Sequence, residues 1–318
     1  MSRAALAVAL LVAACGALAQ TWPGKPIRLV LPYSAGTTTD VLGRLYAQKL
    51  AENLSQAVIV ENKAGAGGNI AGEAVARSAP DGYTLTLSTS AVHATNPALY
   101  GKLPFDTIKD FSHVTFLASA PNMLAVNATV PAKNMAELIA YAKANPGKLT
   151  YLSAGSGTSP HMAGELLRSM AGIDITHVPY KNITQGFADL MGGQVSMTFY
   201  HVPVIYPFVK DGRLRALGVA TRTRSALAPE VPPIADTLPG FEIRPWWGVS
   251  GPAGLPADVV DRLYNATAMI LKDADTRQRY TTLGLEITQM TVREFNEFTV
   301  TELAKWTKIV KDSGAKVD

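Results

Sequence analysis

Short apolar runs at 27–31, 58–60, 84–87, 114–117, 124–126, 150–152, 195–199, 214–220 and 248–250 read as strands. Between them apolar residues recur at helical spacing. Val41, Leu42, Leu45, Tyr46 and Leu50 fall on one face, as do Met135, Leu138, Ile139 and Ala142. Met162, Leu166, Leu167 and Met170 make another such face, and Val259, Leu263 and Ile270 a fourth. Strand alternating with helix predicts α/β layers with mostly parallel sheets. No short-period repeat or low-complexity segment interrupts the alternation. Two places break it. Near residues 119–121 two strands follow one another without a helix, and around 245–254 (PWWGVSGPAG) aromatic and turn residues mix. A chain that crosses over at the first and returns at the second builds one lobe from residues 22–121 plus 246–318. The other lobe is 122–245.

The start of the chain stands outside that pattern. MSRAALAVALLVAACGALAQ has Arg3, an apolar stretch from Ala4 to Ala14, and Ala17-Leu18-Ala19. This is the order of a secretory signal, and the apolar stretch is too short to stay in a bilayer as a spanning helix. Residues 1–19 are therefore expected to be removed, with cleavage near Ala19 and export to the periplasm. Val12-Ala13-Ala14-Cys15 resembles a lipobox, but the A-L-A site is the better formed. Cys15 is the only cysteine, and either route removes it as a free thiol. Disulfides, cysteine metal sites and a cysteine nucleophile are excluded for the mature chain. An exported protein without disulfides relies on its core, and 47% apolar residues are enough to build one.

Net charge is +4, or +3 once Arg3 is removed, and no run of Lys and Arg exceeds two. That spread argues against a nucleic-acid groove and is compatible with a small anionic ligand.

Two loops carry the candidate chemistry. Residues 32–40 read PYSAGTTTD and residues 151–161 read YLSAGSGTSPH. Each Ser-Ala-Gly follows an apolar run and precedes a helical pattern. In α/β sheets ligands bind beyond the carboxyl ends of strands, where unpaired N–H groups of the following helix attract anions. In the first loop Ser34, Ala35 and Gly36 let the backbone approach a ligand. Thr37, Thr38 and Thr39 supply hydroxyls, and Asp40 stands where an N-cap would. In the second, Ser153, Ala154, Gly155, Ser156, Gly157 and Thr158 are small or hydroxylated. Ser159-Pro160 reads as an N-cap with Pro at the first helical position, and His161 follows in the first turn. Two such loops from two lobes, closing on one ligand, form a cleft. The plainer reading of each loop is a chain-reversing turn.

Other motifs fall short. Tyr151 occupies the first glycine position of a G-x-S-x-G elbow, so Ser153 is a poor nucleophile candidate. The histidines at 93, 113, 161, 177 and 201 form neither H-x-x-x-H nor H-E-x-x-H, so no metal site is expected. His113 and His177 read as strand or surface residues. In Gly65-Ala66-Gly67-Gly68 the third glycine of a dinucleotide fingerprint is replaced by Ile70. Trp246-Trp247 is read as packing at a lobe junction, with ligand stacking as the alternative.

Taken together, WPGKPIRLVLPYSAGTTTD, VIVENKAGAGGNIAGEAVARSAPDGYTLTLST, VPYKN with ADLMGGQV, and GRLRALGVATRTRSALAPEVPPIAD resemble the Bug-type periplasmic solute-binding proteins of tripartite tricarboxylate transporters. The resemblance covers essentially the whole mature chain. It implies a two-lobed Venus-flytrap, type II-like α/β fold, no cofactor, and a monomer that hands a small carboxylate to a membrane permease. It also implies that ligand carboxylates are held by backbone amides, hydroxyls and ordered waters of the two loops. On this chain the residues so implied are Tyr33 to Asp40, Ser88, Thr89 and Ser90, Ser153 to Thr158 with His161, and more weakly Tyr180. Two departures matter. Gly36 is followed by Thr37 rather than a second glycine, and the strand after GGQV ends Phe199-Tyr200-His201 where the family usually has Phe-Asp-Asn. An Asp there would suit a ligand ammonium. Tyr200 and His201 instead favour a carboxylate without one, with aromatic acids and dicarboxylates in that class. The alternatives are an exported serine hydrolase using Ser153 with His161 as base, and a receptor that signals to a membrane kinase. The hydrolase lacks both the elbow glycine and a recognisable acid partner.

Overall fold

The computed structural model describes residues 22–317. The signal expected at 1–19, with its Ala19 cleavage site and Cys15, lies outside the described residues.

In chain order the strands are β1 (Ile27–Leu31), β2 (Val58–Asn62), β3 (Thr84–Thr89), β4 (Phe111–Ser119), β5 (Asn122–Asn127), β6 (Leu149–Ser153), β7 (Ile175–Pro179), β8 (Met197–His201), β9 (Leu214–Val219), β10 (Trp246–Pro252) and β11 (Glu286–Ile287). The helices are α1 (Thr38–Leu54), α2 (Asn69–Ala76), a π-helical turn (Ala91–Thr95) running into α3 (Asn96–Leu99), α4 (Met135–Ala144), α5 (Ser159–Ala171), α6 (Ile183–Met191), α7 (Val202–Lys210), α8 (Ala257–Lys272), α9 (Ala274–Thr282) and α10 (Val292–Ser313). A six-stranded sheet has the order β11-β4-β10-β3-β1-β2, and a five-stranded sheet the order β7-β6-β8-β5-β9.

The sheets are mixed, which corrects the expectation of mostly parallel ones. β1 runs parallel to β2 and β3, and β6 to β7 and β8, because helices carry the chain back between them. β5 and β10 run antiparallel to both of their neighbours. Each arrives from the other sheet and not from a crossover helix. The crossings lie at the carboxyl ends of the parallel strands, so an arriving strand starts where its neighbours finish. Asn122 pairs with His201, and Trp247 with Thr89. The two crossings lie side by side, with Ala120 N–H donating to Pro245 O at 3.1 Å.

α1 buries Leu42, Tyr46, Ala47, Leu50 and Leu54 against β1 and α8. Val41, expected on that face, is exposed, as is Met170 on α5. α10 serves both sheets. Its Phe295 packs on β10 at Gly248, where a Cβ would collide with the ring. Its far end receives α5, through Ser169 Oγ donating to Asp312 O at 3.2 Å and Arg168 to Ser313 O at 3.5 Å. Trp246, Phe295 and Trp306 therefore share one core cluster with Tyr151, Met162 and Leu167.

Candidate functional site

Four helical starts converge between the sheets. α1 begins after Thr37, the π-helical turn after Ser90, α5 after Thr158 and α7 after His201. All four of those residues line one inner chamber of about 40 Å³. Its walls also hold Tyr33, Thr38, Thr39, Thr89, Tyr200 and the Trp246–Trp247 pair. An outer chamber of about 740 Å³ is lined by Ser34, Gly65, Tyr100, Gly155, Ser156, Tyr180 and Lys181 among others. Tyr33, Thr37 and Ala154 belong to both walls.

The first loop is held from behind. Thr37, not Asp40, is the N-cap, its Oγ1 accepting from Asp40 N–H at 3.2 Å and donating to Ser34 O at 2.9 Å. Asp40 sits in the first turn and turns its carboxylate away from both chambers. It accepts from Gly36 N–H at 3.1 Å, from Arg44 at 3.0 Å and from Asn62 at 2.9 Å. Burial alone would raise its pKa, but the hydrogen bonds from Arg44, Asn62 and the Gly36 amide outweigh it and lower the value. Thr39 Oγ1 accepts from the Trp247 indole at 2.8 Å, and Thr38 Oγ1 shares a hydrogen bond with His201 Nδ1 at 2.7 Å. The last bond joins the two sheets' loops directly.

The second loop is held by imidazoles. Ser153, wholly buried as the last residue of β6, shares a hydrogen bond with His177 Nε2 at 2.6 Å and accepts from Gly155 N–H at 2.9 Å. His161 Nδ1 accepts from Gly157 N–H at 3.1 Å, and its ring lies 4.3 Å from that of His177. The Ser153–His161 pair that the hydrolase alternative requires is not made: His177, from the neighbouring parallel strand, takes the serine. α5 is capped at Thr158, so Ser159 is its first residue and Pro160 its second, one position later than the sequence suggested.

Of the candidate residues, Tyr33, Thr37, Thr38, Thr39, Thr89, Ser90, Ala154, Thr158, Tyr200 and His201 meet at the inner chamber. Ser34, Gly155, Ser156 and Tyr180 reach only the outer one, where the Tyr180 hydroxyl already donates to Asp189 at 2.7 Å. Ala35, Gly36, Asp40, Ser88, Ser153, Gly157 and His161 line neither. Ser88 is instead bonded to Ser250, which is 2.8 Å from His113 Nδ1. His113 Nε2 donates to Thr107 O at 3.1 Å, so its Nδ1 accepts from Ser250. Trp246 and Trp247 were read as junction residues and turn out to be both junction and chamber wall. Ala91, Lys181 and Tyr100 gave no sequence signal, since nothing local distinguishes them.

Among the described residues no Asp, Glu, Lys or Arg lines the inner wall, and burial lowers the His201 pKa to about 3, so the ring is neutral. His201 Nε2 is buried and, among the described residues, has no hydrogen-bond partner. Burial pushes the Tyr33 phenol up to about 12 against its Thr89 hydrogen bond. Burial and then the Tyr33 phenol raise Tyr200 as well. Both phenols stay neutral donors.

The lobes touch around this site. Tyr100 donates to Ser156 O at 3.3 Å and Ser34 to Lys181 O at 3.5 Å. Gly157, at φ +86°, lies so close to Asn96 that a Cβ would overlap the carboxamide, and Gly67, at φ +63°, is as close to Ser156 O. Among the described residues no cluster of three or more His, Cys, Asp or Glu is placed to hold a metal, and no helix is long and apolar enough to cross a membrane.

Two mixed sheets joined by paired crossings, with helix starts aimed into a chamber between them, define a bilobed solute-binding receptor of the periplasmic type. The chain belongs to the Bug-type receptors of the tripartite tricarboxylate transporter family, whose sequence pattern matches residues 42–315. It is 31% identical to Protein BugT of Bordetella pertussis over 323 aligned positions, covering 100% of this chain and 99% of BugT. An R. palustris structure with adipate superposes with a TM-score of 0.87 at 34% identity, covering 92% of this chain and 98% of that one. MatC from Rhodopseudomonas palustris with bound malate gives 0.86 at 30% identity, covering 91% and 100%.

Proposed function

We propose that this chain is an exported receptor for a small carboxylate lacking an ammonium group, which it holds between two hinged lobes and delivers to a membrane permease of the tripartite type. The observation that carries the reading is the convergence of four helix starts on an uncharged chamber. Helix N-termini supply partial positive charge and unpaired N–H groups, so they stabilise an anion without a cationic side chain. Threonine and tyrosine hydroxyls and the unpartnered His201 Nε2 add neutral donors or acceptors. Among the described residues no acidic side chain lines either chamber, so none of them would neutralise a ligand ammonium. The carboxylates in the two R. palustris structures support the same class. The lobes in this reading are residues 22–121 with 246–318, and 122–245, hinged at the paired crossings.

The receptor performs no chemistry in this reading. Ser153 is buried away from both chambers, and its hydroxyl is engaged by His177 and Gly155. A thermal-shift screen of aliphatic and aromatic mono- and dicarboxylates, with matching amides and amino acids, tests the reading. A ligand at a hundred times its Kd stabilises by about 2.7 kcal/mol. Carboxylates should shift the melting temperature, and amides and amino acids should not. Stabilisation by amino acids alone would overturn the ligand class. Ester hydrolysis by the wild type that is lost in Ser153→Ala would overturn the receptor in favour of a hydrolase.

A further inference from the structure

We propose, resting on the carboxylate reading above, that His201 is the side-chain donor to the ligand anion: its Nε2–H meets the carboxylate, and the Thr38 hydroxyl, reaching Nδ1 from the other sheet, fixes the ring in the tautomer that can donate. The hydroxyls that the sequence offers for this task are spent elsewhere. Thr37 Oγ1 donates to Ser34 O and accepts from Asp40 N–H. Thr39 Oγ1 accepts from the Trp247 indole. Across the chamber Thr158 Oγ1 donates to Gly155 O at 2.6 Å. Thr38 Oγ1 lies 2.7 Å from His201 Nδ1. The first-loop threonines are thus braces, and two of them hold residues of the chamber wall, Trp247 and His201.

The other ring nitrogen of His201 is left over. The residue lines the inner chamber, and its Nε2 is buried with no hydrogen-bond partner among the described residues. A buried polar atom without a partner is costly, and a ligand atom in the chamber would relieve that cost. A neutral imidazole carries one proton, on one nitrogen or the other. With the proton on Nδ1, Nε2 would turn a lone pair toward an anion. With the proton on Nε2, the ring donates. A Thr38 hydroxyl that donates to Nδ1 leaves the proton on Nε2. The Tyr200 phenol, kept protonated by burial, interacts with the same Thr38 hydroxyl. A phenol donating there leaves the threonine proton for the imidazole. The ring is flanked by Tyr200 at 4.9 Å and by Trp247 edge-on at 5.2 Å, so it has little freedom to turn away. Thr38 opens α1 beside the six-stranded sheet and His201 ends β8 of the five-stranded one. The donor is therefore set only while the two sheets' loops are together.

Calorimetric titration with malate, adipate and benzoate tests this in the full chain as wild type, Thr38→Val, Thr38→Ser, His201→Phe and the Thr38→Val/His201→Phe pair. The nitrogen-15 spectrum of the His201 ring is recorded alongside. His201→Phe should weaken each acid that binds the wild type by about tenfold to a hundredfold, the range of one hydrogen bond to a charged group. Thr38→Val should cost about tenfold and Thr38→Ser no more than about threefold, since serine restores the hydroxyl. The double variant should match His201→Phe to within about a factor of two, because Thr38 acts through the ring. With acid bound, the wild-type spectrum should show Nε2 protonated and Nδ1 accepting. A protonated Nδ1 in that complex, unchanged affinity in His201→Phe, or losses that simply add in the double variant would overturn the His201 donor and leave the carboxylate receptor standing. The wild-type spectrum decides the tautomer even where a variant does not fold. Failure of all three acids to bind the wild type would overturn both.

Discussion

The two loops that face each other across the inner chamber do the same job by different physics. The loop after β1 is anchored by a carboxylate: Asp40 gathers Gly36, Arg44 and Asn62, and three consecutive threonines are left to shape the wall. The loop after β6 is anchored by rings: His177 holds Ser153 and His161 holds Gly157, and the wall it presents is Ala154, Thr158, Ser159 and Pro160. One loop is polar at the ligand and charged behind. The other mixes hydroxyl and apolar residues at the ligand and is aromatic behind. The shared word Ser-Ala-Gly does not mark equivalent positions either. Ser153 closes its strand, whereas Ser34 lies three residues beyond the end of β1. The lesson is that a repeated spelling can report a repeated strand–loop–helix need for small residues without repeating the side-chain chemistry.

Glycines separate the loops most sharply. Gly36 and Gly157 both have positive φ, at +83° and +86°. A Cβ on Gly36 would meet only Thr184 at 4.0 Å, whereas one on Gly157 would strike Asn96 on the opposite lobe. Gly157→Ala should therefore prevent closure and weaken carboxylate binding by about a hundredfold, or about 2.7 kcal/mol. Gly36→Ala should cost stability through the backbone alone, about 1–2 kcal/mol, with affinity reduced much less. Titration and melting of both variants check this, and equal losses of affinity would erase the distinction.

Tyr200→Asp comes next. It removes a buried ring from the wall and places an acid at the end of β8. Binding of the best acid from the screen should weaken on the order of 1–3 kcal/mol through lost contact and like-charge repulsion. Unchanged affinity would show that this strand end does not select the ligand.

Buried imidazoles and the Asp40 carboxylate also predict losses of stability over different pH ranges. Burial lowers the folded-state pKa of His201 to about 3 and of His113 to about 4. The unfolded chain takes up those protons below about 6.5, so stability should be full above that pH and fall steadily toward 4, by about 1.4 kcal/mol per pH unit for each such group. Asp40 is held low by its hydrogen bonds, so its contribution should persist through that range and fade only below about 4. Melting temperatures from pH 8 to 3 check both, and a His201→Gln variant should flatten the upper part of the curve. Smallest of all, Asp40→Asn should cost about 1 kcal/mol at neutral pH, since Arg44 is half exposed and contributes little beyond the hydrogen bonds.

Much of the architecture was legible in the chain. Every apolar run assigned to a strand lies in or overlaps one; β5 is apolar on both faces over Met123–Val126, whereas β3 is buried throughout although Thr and Leu alternate along it. β7 was missed because ITHVP is an edge strand with only Ile175 fully buried, and β11 is only two residues long. The antiparallel direction of β5 and β10 was missed because direction depends on where the chain enters a sheet, which no local pattern records. Half of the inner wall was legible as hydroxyl-rich helix starts. The Trp pair of the inner wall, and Tyr100 and residues 65–68 of the outer one, are assembled from segments far apart in sequence, and AGAGG by itself was read only as an incomplete dinucleotide fingerprint.

The central claim is that a carboxylate is enclosed between two lobes that close on it, and small-angle scattering measures that directly. The chain without ligand and the same chain with a saturating concentration of its best carboxylate should differ, with a smaller radius of gyration in the second. Gly157→Ala should stay at the larger value in both. Saturation with no change in the wild-type radius would contradict the account, because the ligand would then be bound without closure.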